Sequence, residues 1–183
     1  MILHVANLGN PILRRVADPV EPARIKEPLF QAFLDDLLQS MEFHDGVGLA
    51  APQVFHSIRV IAVQVPDDMD DDSDEDAGVS MQPAVYINPE LSDKSDEMLD
   101  GWEGCLSLKD LRGIVPRHAS VHLAALDRDG KPIDISLKGF AARVFQHEMD
   151  HLDGIVFTDR MENMNSLVFL NELEKYGPPG MED

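Results

Sequence analysis

Residues 139–154 read GFAARVFQHEMDHLDG, and their apolar spacing predicts a helix. Phe140, Val144, His147 and His151 fall on neighbouring positions of one stripe, and Gly154 supplies a stop. Histidines four apart project from one face of such a helix, close enough for both imidazoles to hold one metal ion. Glu148, next to the first, can reach water beside that ion as a general base. Working outward, residues 120–125 and 132–137 flank DRDGK, a hairpin signature with Asp-Gly at the turn. Residues 58–65 (IRVIAVQV) and 83–88 read as strands. Residues 28–44 read as an amphipathic helix through Leu29, Phe30, Phe33, Leu34, Leu37, Leu38 and Met41, with Pro28 at its first turn and Asp45-Gly46 as its stop. A last helix is expected over 165–176. Strands and helices intermix without regular βαβ alternation, so the fold class is α+β.

The chain has 183 residues, enough for one domain with a sizeable core. With 34 acids against 15 Lys and Arg, its net charge of -19 disfavours electrostatic capture of nucleic acid or an anionic membrane. Eight of the acids lie between Asp67 and Asp76 with no base among them, so 66–80 is expected to be a solvated or disordered acidic insertion. A calcium loop is the alternative there. The EF-hand pattern, however, needs Gly after its third alternating acid, and Asp70, Asp72 and Asp74 are followed by Glu75. Cys105 is the single cysteine, which excludes an intrachain disulfide. No apolar run reaches transmembrane length and the first residues do not form a signal peptide, so a cytoplasmic protein is expected, or an organellar one with its transit peptide trimmed.

Two histidines do not complete a catalytic metal site, which takes three protein ligands and leaves a position for water or substrate. The extended pattern H-E-x-x-H-x-x-G-x-x-H keeps Gly154 but ends on Phe157, which closes that route. Downstream carboxylates at Asp159, Glu162, Glu172 and Glu174 leave a later acidic ligand open. Upstream, Cys105 lies in GWEGCLS, where a thiolate suits zinc or ferrous iron and the glycine allows close backbone approach. Taken alone, a free cysteine is more readily an inert core residue than a ligand, and it is the pairing with HEMDH that raises the ligand reading above that. A third cluster, GVGLAAPQ at 46–53, is small and flexible enough to lie against a peptide, and the Gln53 amide can donate to a carbonyl oxygen gaining charge.

In this order, GVGLAAPQ, EGCLS and QHEMDHLDG closely resemble the peptide deformylase family, the match spanning about residues 46–154. EGCLS is the form of bacterial members. The resemblance implies mixed β-strands packed around a central HExxH-bearing helix, and a single catalytic domain over 1–183 with a C-terminal extension from about 162. It further implies a metallohydrolase that removes the formyl group from N-formylmethionyl peptides of nascent chains, releasing formate. Cys105, His147 and His151 are then the metal ligands and Glu148 the general acid and base. Gln53 and the backbone N–H of Leu106 form the oxyanion hole, and backbone groups at Val47 and Gly48 pair with substrate. Phe140 and Val144 are expected as walls of the methionine pocket. Arg112 and Arg117 match arginines that the family places near the site, where a surface or supporting role suits them equally. The ion implied is Fe(II), with Zn(II), Ni(II) or Co(II) as replacements, and transient ribosome association is a further expectation, with no direct nucleic-acid or membrane binding. A zinc endopeptidase would instead use a downstream ligand and be indifferent to Cys105→Ser. A non-catalytic binder of amino termini would have lost Glu148 or a ligand, and none is missing.

Overall fold

The computed structural model describes residues 1–66 and 80–178. The acidic segment, apart from its two end residues, and the calcium-loop alternative within it lie outside the described residues. Helix α1 (Pro28–Phe43) is followed by strands β1 (Gly48–Ala50), β2 (Val60–Val65), β3 (Met81–Ser92), β4 (Met98–Cys105), β5 (Leu108–His118), β6 (Ser120–Leu126) and β7 (Pro132–Lys138). Helix α2 (Gly139–Leu152), strand β8 (Val168–Phe169) and helix α3 (Leu170–Tyr176) complete the order.

Strands β1-β2-β3-β6-β7 form one sheet and β4-β5-β8 a second, with every ladder antiparallel and one isolated parallel bridge between Asp18 and Ile58. Alternation along β2 explains why its sequence is apolar throughout: Ile61, Val63 and Val65 pack on the α2 side, while Val60 and Ala62 pack on the α1 side. Leu49 and Ala50 of β1 divide in the same way. The five-stranded sheet is therefore covered by α1 through Phe30, Leu34, Leu37 and Met41, and by α2 through Ala141, Ala142, Val144, Phe145 and Leu152. A third cluster, with Leu108, Val115, Val156 and Phe157, lies beneath the smaller sheet and includes Cys105. Helix α2 sits between the two sheets, so its two sides see different environments.

The expected helix over 28–44 is found, but Leu29 is exposed and contributes nothing to the core. The left-handed residue after α1 is Asp45 (φ 54°), not Gly46. Gly46 is instead crowded, since a β-carbon there would sit 3.1 Å from Leu106 Cδ1. Gly154 does end α2 with φ 74°, and a side chain there would also meet the Arg14 backbone at 2.8 Å, so torsion and packing both require glycine. The expected helix at 165–176 is only partly found: residues 168–169 form β8, which pairs with Leu111 and Arg112, and the helix begins at Leu170. Tertiary pairing with an open strand edge overrides local helical spacing there. No helix among the described residues is long and apolar enough to cross a membrane.

Candidate active site

His147 and His151 lie one turn apart on α2, with ring centroids 5.1 Å apart. Both are buried and face the end of β4, where the β4–β5 register shifts between Gly104 and Cys105. Cys105 Sγ comes to 3.1 Å from His151 Nε2. The ligating atoms of Cys105, His147 and His151 all lie within 4.8 Å of one another. Asp159 is committed elsewhere, to an ion pair with Arg14, and among the described residues no carboxylate joins this metal-capable group.

The donor chemistry fits a first-row divalent ion: one thiolate, two imidazoles and a buried carboxylate nearby. His147 Nδ1 is engaged by Glu103 Oε2 at 2.8 Å, which leaves Nε2 as its free donor atom. Two buried polar atoms beside the cluster, His151 Nδ1 and Glu148 Oε2, have no hydrogen-bond partner among the described residues. Burial by itself would raise the Cys105 thiol, but His151 and His147 beside it hold it well below the ordinary thiol range. Burial likewise opposes charge on His147, yet Cys105 and Glu103 lift it well above the ordinary imidazole range. The two shifts are reciprocal: the imidazoles stabilise the thiolate, and the thiolate together with Glu103 stabilises charge on His147. Glu148 is pushed up to about 7, chiefly by burial, with the two histidines opposing the rise.

Behind His147 stands a buried ion-pair cluster. Arg117 donates from Nε and Nη2 to the two oxygens of Glu103 at 2.9 and 3.0 Å, and from Nη1 to Asp150 Oδ2 at 2.6 Å. Arg143 reaches Glu103 Oε1 at 3.0 Å and the carbonyls of Leu99 and Val115, while Arg160 closes on Asp150. Burial would raise Glu103, but His147 and Arg117 hold its carboxyl at about 2. Of the two arginines noted in the sequence, Arg117 belongs to this cluster and Arg112 lines the cleft. Glu103, Arg143, Asp150 and Arg160 have no role in the sequence analysis. The two-residue spacing of Glu103 and Cys105 signals a shared face only once β4 is known to be a strand, where both residues are buried.

A cleft of about 690 Å³ opens on these groups, a volume suited to a small peptide. It is lined by Val47, Gly48, Gln53, Cys105, Leu106, Phe140, Val144, His147 and Glu148, so the expected site residues meet at one cavity except His151, which lies beneath it. Gln53 sits in a 3-10 turn (Ala51–Val54), and its Oε1 accepts from the Ala50 N–H at 2.8 Å. That contact fixes the amide orientation, because only the oxygen can accept. Nε2 is thereby turned inward, donating toward Cys105 Sγ at 3.4 Å and Ser107 Oγ at 3.2 Å. Gly48 opens β1, the terminal strand of its sheet, whose outer edge can take an added strand, while the Val47 carbonyl just before it accepts from the Gln64 N–H at 2.9 Å on the inner side.

Residues 2–166 match the family described as polypeptide deformylase. Peptide deformylase 2 of Nostoc sp. is 41% identical over 160 residues, covering 87% of this chain and 86% of that protein. Peptide deformylase 1 of Prochlorococcus marinus is 38% identical and covers 96% of this chain and 89% of its own length. Among solved structures, the Met-Ala-Ser-bound class I type b peptide deformylase of Acinetobacter baumannii superposes with a TM-score of 0.79 at 38% identity, covering 88% of this chain and 99% of that one. The Thermotoga maritima peptide deformylase superposes with a TM-score of 0.78 at 32% identity, covering 89% and 99%. Identity at this level over nearly the whole chain and on the same fold is what descent from a common ancestor produces: the chain belongs to the polypeptide deformylase family.

Proposed function

We propose that this deformylase hydrolyses the formyl amide of N-formylmethionyl peptides, with Cys105, His147 and His151 holding one divalent ion and Glu148 moving the proton. The observation that carries the reading is the convergence of Cys105 with the two histidines from separate sequence motifs, with Cys105 and His147 at the wall of one cleft. When bound, the ion supplies Lewis-acid polarisation of the formyl carbonyl and activation of water at neutral pH. Fe(II) is the favoured ion, with Zn(II), Ni(II) or Co(II) as replacements.

Glu148 takes a proton from the attacking water at its carboxylate and returns it to the departing amine nitrogen. A carboxyl lifted to about 7 suits both halves of that task, since it gives up and regains a proton with little driving force against it. Gln53 Nε2 and the Leu106 backbone N–H donate to the formyl oxygen as it gains negative charge. The Ala50 N–H holds the amide oxygen, so Nε2 faces Cys105, and donation to the formyl oxygen redirects one of the two hydrogens that point toward Cys105 Sγ and Ser107 Oγ. Gln53→Leu is expected to lower kcat about a hundredfold, with metal content unchanged, measured by formate release. Backbone groups of Val47 and Gly48 hold the peptide as an added strand, while Phe140 and Val144 border the methionine side chain.

Glu103 orients His147 by accepting from its Nδ1–H. Glu103→Gln is expected to weaken metal binding by about 10- to 100-fold, read by competition against a chelator of known affinity. Residues 1–183 act in this reading as one catalytic domain with an acidic insertion at 66–80 and an extension from about 162. The enzyme works in the cytoplasm on nascent chains, meeting them in transient association with the ribosome, although its -19 charge gives no electrostatic docking on RNA.

The test is formate release from formyl-Met-Ala-Ser under anaerobic conditions with Fe(II)-loaded protein, before and after chelation. Formate with intact Met-Ala-Ser, abolished by the chelator, is the expected result. Folded, loaded protein that yields no formate overturns the reading, and cleavage at an internal peptide bond replaces it with an endopeptidase.

A further inference from the structure

We propose that Gly48 positions Glu148: the space that a side chain would take at residue 48 is filled by the Glu148 carboxyl, and this packing sets the direction of the proton carrier. The inference rests on the deformylase reading and adds to it a role for the missing side chain of Gly48, separate from the backbone contacts assigned to that residue. A β-carbon placed on Gly48 overlaps Glu148 Oε1 and lies 2.7 Å from Cδ and 2.8 Å from Cγ, closer than real β-carbons approach heavy atoms. The backbone itself makes no such demand. Gly48 is not among the residues with positive φ, and it pairs in register with Val63 as part of β1, a conformation open to any L-residue. Glycine is required there by its neighbour and not by its torsion.

A second observation comes from Glu148 itself. Its Oε2 is buried without a hydrogen-bond partner among the described residues, so no donor fixes that end of the carboxyl. The other end of the carboxyl lies in the space left by the missing side chain of Gly48. Any added carbon at 48 turns Glu148 away, because the obstructing atoms belong to the end of a flexible side chain and yield more easily than a paired strand. Misplacement of a reacting group by about 1 Å is enough to cost on the order of a hundredfold.

The experiment compares Gly48→Ala with the parent enzyme, alone and in a Glu148→Asp background, where one methylene less returns the lost room. Gly48→Ala is expected to lower kcat about 10- to 100-fold with KM within about twofold, and with metal content, thermal midpoint and calorimetric affinity for the product peptide Met-Ala-Ser unchanged. In the Glu148→Asp background the same change is expected to cost less than about threefold, a coupling that a merely structural role would not produce. An equal cost in both backgrounds, or a loss confined to KM, overturns the proposal. Should Gly48→Ala fail to fold, folding of the double variant supports the steric account, and equal failure of both overturns it. Absence of formate from the parent enzyme would strike the deformylase reading first, whereas an active parent with an unaffected Gly48→Ala strikes only this inference.

Discussion

Glu148→Gln is expected to lower formate release by about a thousandfold while leaving the folded protein intact and its metal in place. The amide has nearly the volume of the carboxyl, so the contact with Gly48 persists and the cleft keeps its shape. What disappears is a group able to take and return a proton near neutrality, the property conferred on Glu148 by its burial. The variant also removes a carboxyl whose Oε2 has no partner among the described residues, so its thermal midpoint is expected to equal or exceed that of the parent. A parallel measurement of metal content and of Met-Ala-Ser affinity separates lost chemistry from lost structure. Residual activity within tenfold of the parent would exclude Glu148 as the proton carrier and turn attention to water alone or to another carboxyl.

The parts of this arrangement that were legible in the sequence are those with a short-range period. HEMDH announces its two imidazoles because a helix repeats every 3.6 residues, and β2 announces a buried strand because both of its faces are covered. Strands β4 and β5 were not legible, although they are long and well paired: MLDGWEGC and LKDLRGIVPRH scatter glycine, proline and charge along both faces. Their irregular composition reflects what they touch. Gly101 has no side chain because the Arg143 guanidinium crosses it, Gly104 because Arg112 does, and Glu103 and Arg117 point at each other in the interior. A pattern written by partners on another strand or helix, eight or more residues away, carries no local period. For the same reason Cys105 could be connected to the histidines only through the ordered motifs, since nothing about residue 105 in isolation separates a ligand from an inert core thiol.

Arg117→Met is expected to destabilise the fold by about 3–5 kcal/mol, because the guanidinium is the shared partner of two buried carboxylates. Methionine replaces much of the volume, so a cavity contributes little. The loss comes from Glu103 and Asp150, which stay out of water after their bidentate and single contacts are gone. Arg143 retains one oxygen of Glu103, and Arg160, half-exposed, retains Asp150, so the carboxylates are weakened in pairing and not wholly orphaned. The pH dependence tests the cause. With its folded-state pKa at about 2, below the ordinary 4.5, Glu103 adds stability that is fully present above about 4.5 and is lost as pH falls toward 2. Without Arg117 that depression shrinks, so the variant has less to lose on acidification. The stability gap between parent and variant is therefore expected to be widest near neutrality and to narrow as pH drops below about 4.5, measured by urea unfolding at a series of pH values. A gap that stays constant with pH would assign the loss to packing alone. Combining Arg117→Met with Glu103→Gln is expected to recover part of the stability, since a neutral amide costs less to bury than a carboxylate that has lost its partner.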